Sequence, residues 1–217
     1  DQFEDKIPSR GKPATTWDEL KEDVFKLTKR DNSFERFELA GVALGRADNI
    51  LRAIDILYMM MLQYDTAFYN ERGTEGIFAD QQGVDSSGRA KYPAAEALDL
   101  YTSFGLPSNK SYSWNSSIAD ADSEQKELLP FVHGKVSMIF GYSYTYQQIL
   151  DLIAAEKARG ESVVATNAVK TAVVPQVEDP ATSTDKRDAF ASYFAETVSR
   201  TSEHPEEAWA FLQFITD

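Results

Sequence analysis

Hydrophobic positions along the chain fall into helical stripes separated by short apolar runs. Leu20, Val24 and Leu27 stand three or four residues apart behind Thr16-Trp17-Asp18-Glu19, where a threonine hydroxyl and a glutamate carboxylate can cap orphan amides reciprocally. That spacing predicts a helix. Phe37 to Leu44 reads as an extended segment broken at Gly41 and closed at Gly45, and Asp48 is a good N-cap for a helix opening at Asn49. In that helix Ile50, Ile54, Leu57 and Met61 form the apolar stripe and Leu51, Tyr58 and Leu62 widen it, so it is expected to be largely buried. Residues 65–92 hold Gly73, Gly76, Gly83 and Gly88 among polar side chains without a sustained period, which reads as a surface excursion.

Pro93 opens the next helix, with Ala97, Leu98 and Tyr101 turned inward and Gly105 stopping it. Ser111 to Ser117 reads as a loop exposing Tyr112 and Trp114, and a short helix follows from near Ser123 to His133, shortened by Pro130. Gly134 caps it. Val136, Met138, Ile139 and Phe140 then read as a strand covered on both faces and central in its sheet, ending at Gly141. The chain leaves that strand carrying Tyr142, Tyr144 and Tyr146, at the kind of sheet edge where α/β folds place ligands; the alternative is ordinary packing of the rings. Thr145 and Gln148 suggest a capping box for a helix reaching Arg159 and Gly160. Short strands are expected at 163–166, 169–174 and 190–198. A last helix opens at Pro205, with Trp209, Phe211, Leu212 and Ile215 as its buried side.

Composition narrows the classes. The 217 residues are 42% apolar, with 13 Phe, 10 Tyr and 3 Trp, enough for a real core. The longest apolar run, Ile50 to Leu62, is interrupted by Arg52 and Asp55 and is too short to span a bilayer. Thirty-five acids against 22 bases give a net charge of −13, which disfavours nucleic acid and anionic lipid. There is no cysteine, hence no disulfide, thiol nucleophile or thiolate metal site. His133 and His204 stand apart, and no phosphate loop, dinucleotide fingerprint or nucleophile elbow occurs, so no cofactor, metal or catalytic residue is expected.

What remains is hydrogen-bonding and aromatic capacity at element ends: Arg46, Asp48 and Asn49; Tyr112 and Trp114; Tyr142 and Tyr144. Flat rings suit the C–H faces of a pyranose, and Asn, Asp and Arg hold hydroxyls in fixed directions. Each residue also has a plain structural use, as cap, loop anchor or surface charge.

Three segments in order, Pro-Ala-Thr-Thr-Trp-Asp-Glu-Leu (13–20), Phe-Val-His-Gly-Lys-Val-Ser-Met-Ile-Phe-Gly (131–141) and Pro-Glu-Glu-Ala-Trp-Ala-Phe-Leu-Gln-Phe (205–214), resemble those of bacterial extracellular solute-binding proteins of sugar ABC transporters, the family that includes maltose-binding protein. The resemblance implies a helix-rich α/β periplasmic-binding-protein-like II fold with few short strands. Residues 1–169 would form the second lobe of that fold, and 170–217 a return segment completing a first lobe the chain otherwise lacks. It further implies a non-enzymatic, monomeric receptor outside the cytoplasm, lipid-anchored in its full-length form, that traps a carbohydrate between lobes and presents it to a membrane permease. Arg46 to Asn49, Tyr112 to Trp114, Gly141, Tyr142, Tyr144 and Tyr193 (or Phe194) would lie near the cleft. Tryptophans follow the matching glycine in maltose-binding protein, whereas Tyr142, Ser143 and Tyr144 follow it here, so the sugar stays open. The competing readings are a helical extracellular glycan-binding lipoprotein or an interaction scaffold, separated from the first by strand content, and a glycosidase, separated by turnover of aryl glycosides.

Overall fold

The computed structural model of the chain describes residues 11–31, 36–119, 122–179, 187–192 and 196–216. Helix α1 (Trp17–Leu27) begins at Thr16, whose hydroxyl accepts the Glu19 amide at 3.2 Å, while Glu19 reaches back to the Thr15 amide at 2.7 Å. Its Leu20, Val24 and Leu27 are buried against β2 (Phe37–Val42). Gly41 does not break that strand. It lets the α1 backbone come close, since a Cβ there would stand 2.9 Å from Val24 Cα and 2.8 Å from Thr28 Oγ1.

Among the described residues the sheet has three strands in the order β1 (Lys29–Arg30), β2, β3 (Val136–Met138), with β1 antiparallel and β3 parallel to β2. The buried central strand is therefore β2. Among the described residues the segment at 136–140 is an edge: only Val136 is buried, and Met138, Ile139 and Phe140 are half-buried because no further described strand pairs with them. An all-helical scaffold is set aside by this sheet.

Helix α2 (Ala53–Gln63) starts four residues later than the stripe predicts, because Asp48 is drawn into an ion pair and Arg52 occupies the N-cap position. Ala53, Ile56, Met59, Met60 and Met61 are buried, but Ile54 is 63% exposed, and Leu51, Tyr58 and Leu62 are also exposed. The helix thus has two apolar faces, one in the core and one open. Helix α3 (Pro93–Ser103) packs on α2 through Ala94, Ala97, Leu100 and Tyr101; Leu98, expected inside, is exposed. Gly45 and Gly105 meet backbone to backbone, an approach that any side chain at either position would block.

A second, smaller core joins α4 (Leu128–Val132) to α5 (Ser143–Ala158) through Leu128, Val132, Ile149, Ile153 and Val169. At its edge the buried Glu156 accepts Arg159 Nη1 at 2.6 Å and lies 3.1 Å from His133 Nε2. Helix α5 begins at an N-cap of Tyr142, so Tyr144 and Tyr146 lie in its first turn and Thr145, expected as the cap, is inside it. The strands expected at 163–166 and 169–174 are absent, replaced by extended chain around a 3-10 turn, Thr166–Ala168, with a single parallel bridge from Gln176 to Thr16. Residues 190–192 and 196–198 are likewise not in a strand; 193–195 lie outside the described residues. Helix α6 (Pro205–Thr216) forms as expected, yet none of its residues is buried: Trp209, Phe211, Phe214 and Ile215 are 51–79% exposed.

Candidate functional site

Four residues from two elements converge where α2 begins and α5 begins. Tyr142 and Tyr144, two apart across the N-cap and first turn of α5, bring their rings together with centroids 5.6 Å apart and planes 28° apart. From the N-cap of α2, Arg52 lies 5.5 Å and 5.8 Å from the two ring centres and donates Nη2–H to the Tyr144 hydroxyl at 2.6 Å. Asp55, one turn further, accepts the Tyr142 hydroxyl at 3.0 Å and holds Arg52 Nη1 at 3.8 Å. Burial and the Asp55 carboxylate both push the Tyr142 phenol upward, so it remains a neutral donor at physiological pH. The cluster is open to solvent: Tyr144 is 47% exposed and the neighbouring Tyr146 40%.

Beneath Arg52 the start of α2 is held by Glu127. Its buried carboxylate accepts the Leu51 amide at 2.8 Å, satisfying the backbone donor just ahead of the N-cap, and burial raises its pKa. One to two turns along the open face of α2, Tyr58 meets Phe68 edge-on at 5.7 Å and stacks on Phe190 at 6.0 Å. Nearby, three passes of the chain come together. Gln176 exchanges backbone hydrogen bonds with Thr15 and Trp17, and Gln63 donates to the carbonyls of Pro175 and Asp188, both at 3.0 Å.

Of the residues picked out by sequence, Tyr142 and Tyr144 form this site and Gly141 stands beside it, exposed, where a Cβ would strike Thr145. Three others are core. Trp114 is fully buried and donates its indole N–H to Asn49 Oδ1 at 2.9 Å, while Asn49, itself fully buried, donates to the Ala119 carbonyl at 2.9 Å. Tyr112 is 5% exposed, packed edge-on against Phe37 with the Arg30 guanidinium 4.8 Å from its ring. A loop rich in serine suggests exposure, but these side chains bring their own polar partners into the interior. Arg46 and Asp48 remain at the surface and satisfy each other through two hydrogen bonds of 3.0 and 2.8 Å, which lowers the Asp48 pKa and raises that of Arg46. Tyr193 lies outside the described residues. Sequence reasoning missed Arg52 and Asp55 as site residues. Their signal was present: two charges three residues apart interrupting the most apolar run of the chain.

The family model of the bacterial extracellular solute-binding proteins matches residues 2–217, nearly the whole chain. The protein belongs to this family: an extracytoplasmic solute-binding protein with a helix-rich α/β, periplasmic-binding-protein-like fold, a class that serves ABC transport by binding solute rather than by catalysis. No curated protein and no solved structure matches the chain significantly. Among the described residues, no helix is long and apolar enough to cross a membrane.

Proposed function

We propose that the protein is the carbohydrate-capturing component of an ABC importer, and that the Tyr142–Tyr144 pair with Arg52 and Asp55 is one wall of its binding cleft. The observation that carries this reading is the pairing of two stacked phenol rings, Tyr144 exposed and Tyr142 half-buried, with a guanidinium and a carboxylate at the starts of two helices, supplying a C–H-stacking surface beside directional hydroxyl partners. Tyr58 extends the aromatic surface along α2, with Phe190 of the 170–217 segment stacked on it.

The other wall is the first lobe, which residues 170–217 would help to complete, while residues 1–169 make up the second lobe. One feature supports this division: helix α6 shows its apolar residues to solvent. Apolar surface of that kind is buried against a partner body. The three chain passes tied together by Gln63 and Gln176 then form the crossing about which the lobes close, and the closed, monomeric form is the one read by the permease. Attachment to the cell surface by a lipid anchor is part of the same proposal and rests on family membership.

Calorimetric titration of the intact natural protein with a panel of neutral oligosaccharides tests the assignment. Tyr144→Ala is expected to weaken the best ligand at least tenfold while leaving the circular dichroism spectrum unchanged. Unchanged affinity removes these rings from the cleft.

A further inference from the structure

Resting on the carbohydrate reading, we infer that the site selects uncharged saccharides and that Asp55 is the residue that turns uronates and other anionic sugars away. Arg52 is the cation of the cluster, and an isolated, half-exposed arginine between two tyrosines would attract carboxylate ligands. Here its charge is already matched. Asp55 lies 3.8 Å from one of its terminal nitrogens, and Glu127 sits behind it, bonded to the amide of the preceding residue. A ligand carboxylate reaching Arg52 therefore approaches a cation whose charge Asp55 already offsets from 3.8 Å. Attraction and like-charge repulsion then cancel, while the cost of stripping water from the anion stays.

A hydroxyl group faces no such conflict, because it both donates and accepts. The Tyr144 oxygen accepts from Arg52 and keeps its own proton to give, and Asp55, with one oxygen engaged by Tyr142, has a second carboxylate oxygen to receive. The chain's net charge of −13 adds a long-range bias in the same direction.

The test uses the intact natural protein, titrated calorimetrically at pH 7 with maltotriose, cellotriose and mannotriose and with trigalacturonate and trimannuronate. The best neutral trisaccharide is expected to bind at least tenfold tighter than either uronate, and Asp55→Asn, nearly the same shape, to close that gap by tenfold or more. A uronate binding within tenfold of the best neutral sugar in the unmodified protein overturns the inference while leaving carbohydrate binding intact. Absence of binding by every sugar overturns the carbohydrate reading itself. If Asp55→Asn folds and leaves the gap unchanged, Asp55 is not the excluding residue; if it fails to fold, the unmodified protein's panel decides.

Discussion

Replacing Glu127 by glutamine tests the electrostatics of the α2 start. Glu127 is 2% exposed, its carboxylate accepts the Leu51 amide at 2.8 Å, and burial raises its pKa above that of a glutamate in water. The folded state therefore holds this proton more tightly than the unfolded chain. Its contribution to stability is fully present below the unfolded value of about 4.3 and is lost as pH rises through the higher folded value. Only one proton is at stake, so the slope cannot exceed about 1.4 kcal/mol per pH unit. Glutamine keeps an oxygen for Leu51 and removes the buried charge, trading a charge-assisted bond worth roughly 1.5–3 kcal/mol against a comparable desolvation cost. At neutral pH the two proteins should then differ by no more than about 1 kcal/mol, and the sharper observable is the pH dependence. Urea unfolding followed by tryptophan fluorescence between pH 4 and pH 8 should show the unmodified protein losing stability relative to Glu127→Gln as pH rises above about 4.3. Parallel curves would refute the argument, because they would mean that the carboxylate titrates alike in the folded and unfolded chain.

Three further outcomes follow from other parts of the structure. Asn49→Ala removes the acceptor of the buried Trp114 indole and two donors to loop carbonyls, and should destabilise by about 2–3 kcal/mol in urea unfolding; a cost under about 0.5 kcal/mol would show that the network is dispensable. Gly45→Ala should prevent proper folding or lower the melting temperature sharply, since φ is +94° and the new methyl group collides with the Gly105 backbone; a normal melting curve would contradict that close approach. Trp209→Glu on α6 should leave the unfolding of this chain within about 0.5 kcal/mol of unmodified protein, because the side chain is 56% exposed, yet destabilise the intact protein clearly if α6 docks on a companion lobe. Equal, small effects in both would remove α6 from that interface.

The sequence made α1, α3, β2 and α6 readable because each carries a local device: a threonine cap with a glutamate behind it, a proline at the first helical turn, an apolar extended run, a Pro-Glu-Glu start. Burial was less legible. Trp114 and Asn49 satisfy one another inside the protein, a pairing across 65 residues that no local pattern announces. Ile54 and Leu98 fit apolar stripes and still face solvent, and the whole of α6 does the same, because an amphipathic pattern says that a face has a partner without saying which body supplies it. The tyrosines after Gly141 were visible as candidates, whereas Arg52 and Asp55 reach them only through the tertiary meeting of α2 with α5.

Helix α5 carries the ring-bearing cap at one end and, at the other, the knot in which Glu156 takes Arg159 and faces His133. Its 16 residues make a rod about 24 Å long, so a tilt of about 5° about the knot sweeps the tyrosines through about 2 Å. In the proposed cleft, aim at a ligand would thus be governed from the far side of the lobe, and a substitution in that remote anchor should register as lost affinity before it registers as lost fold.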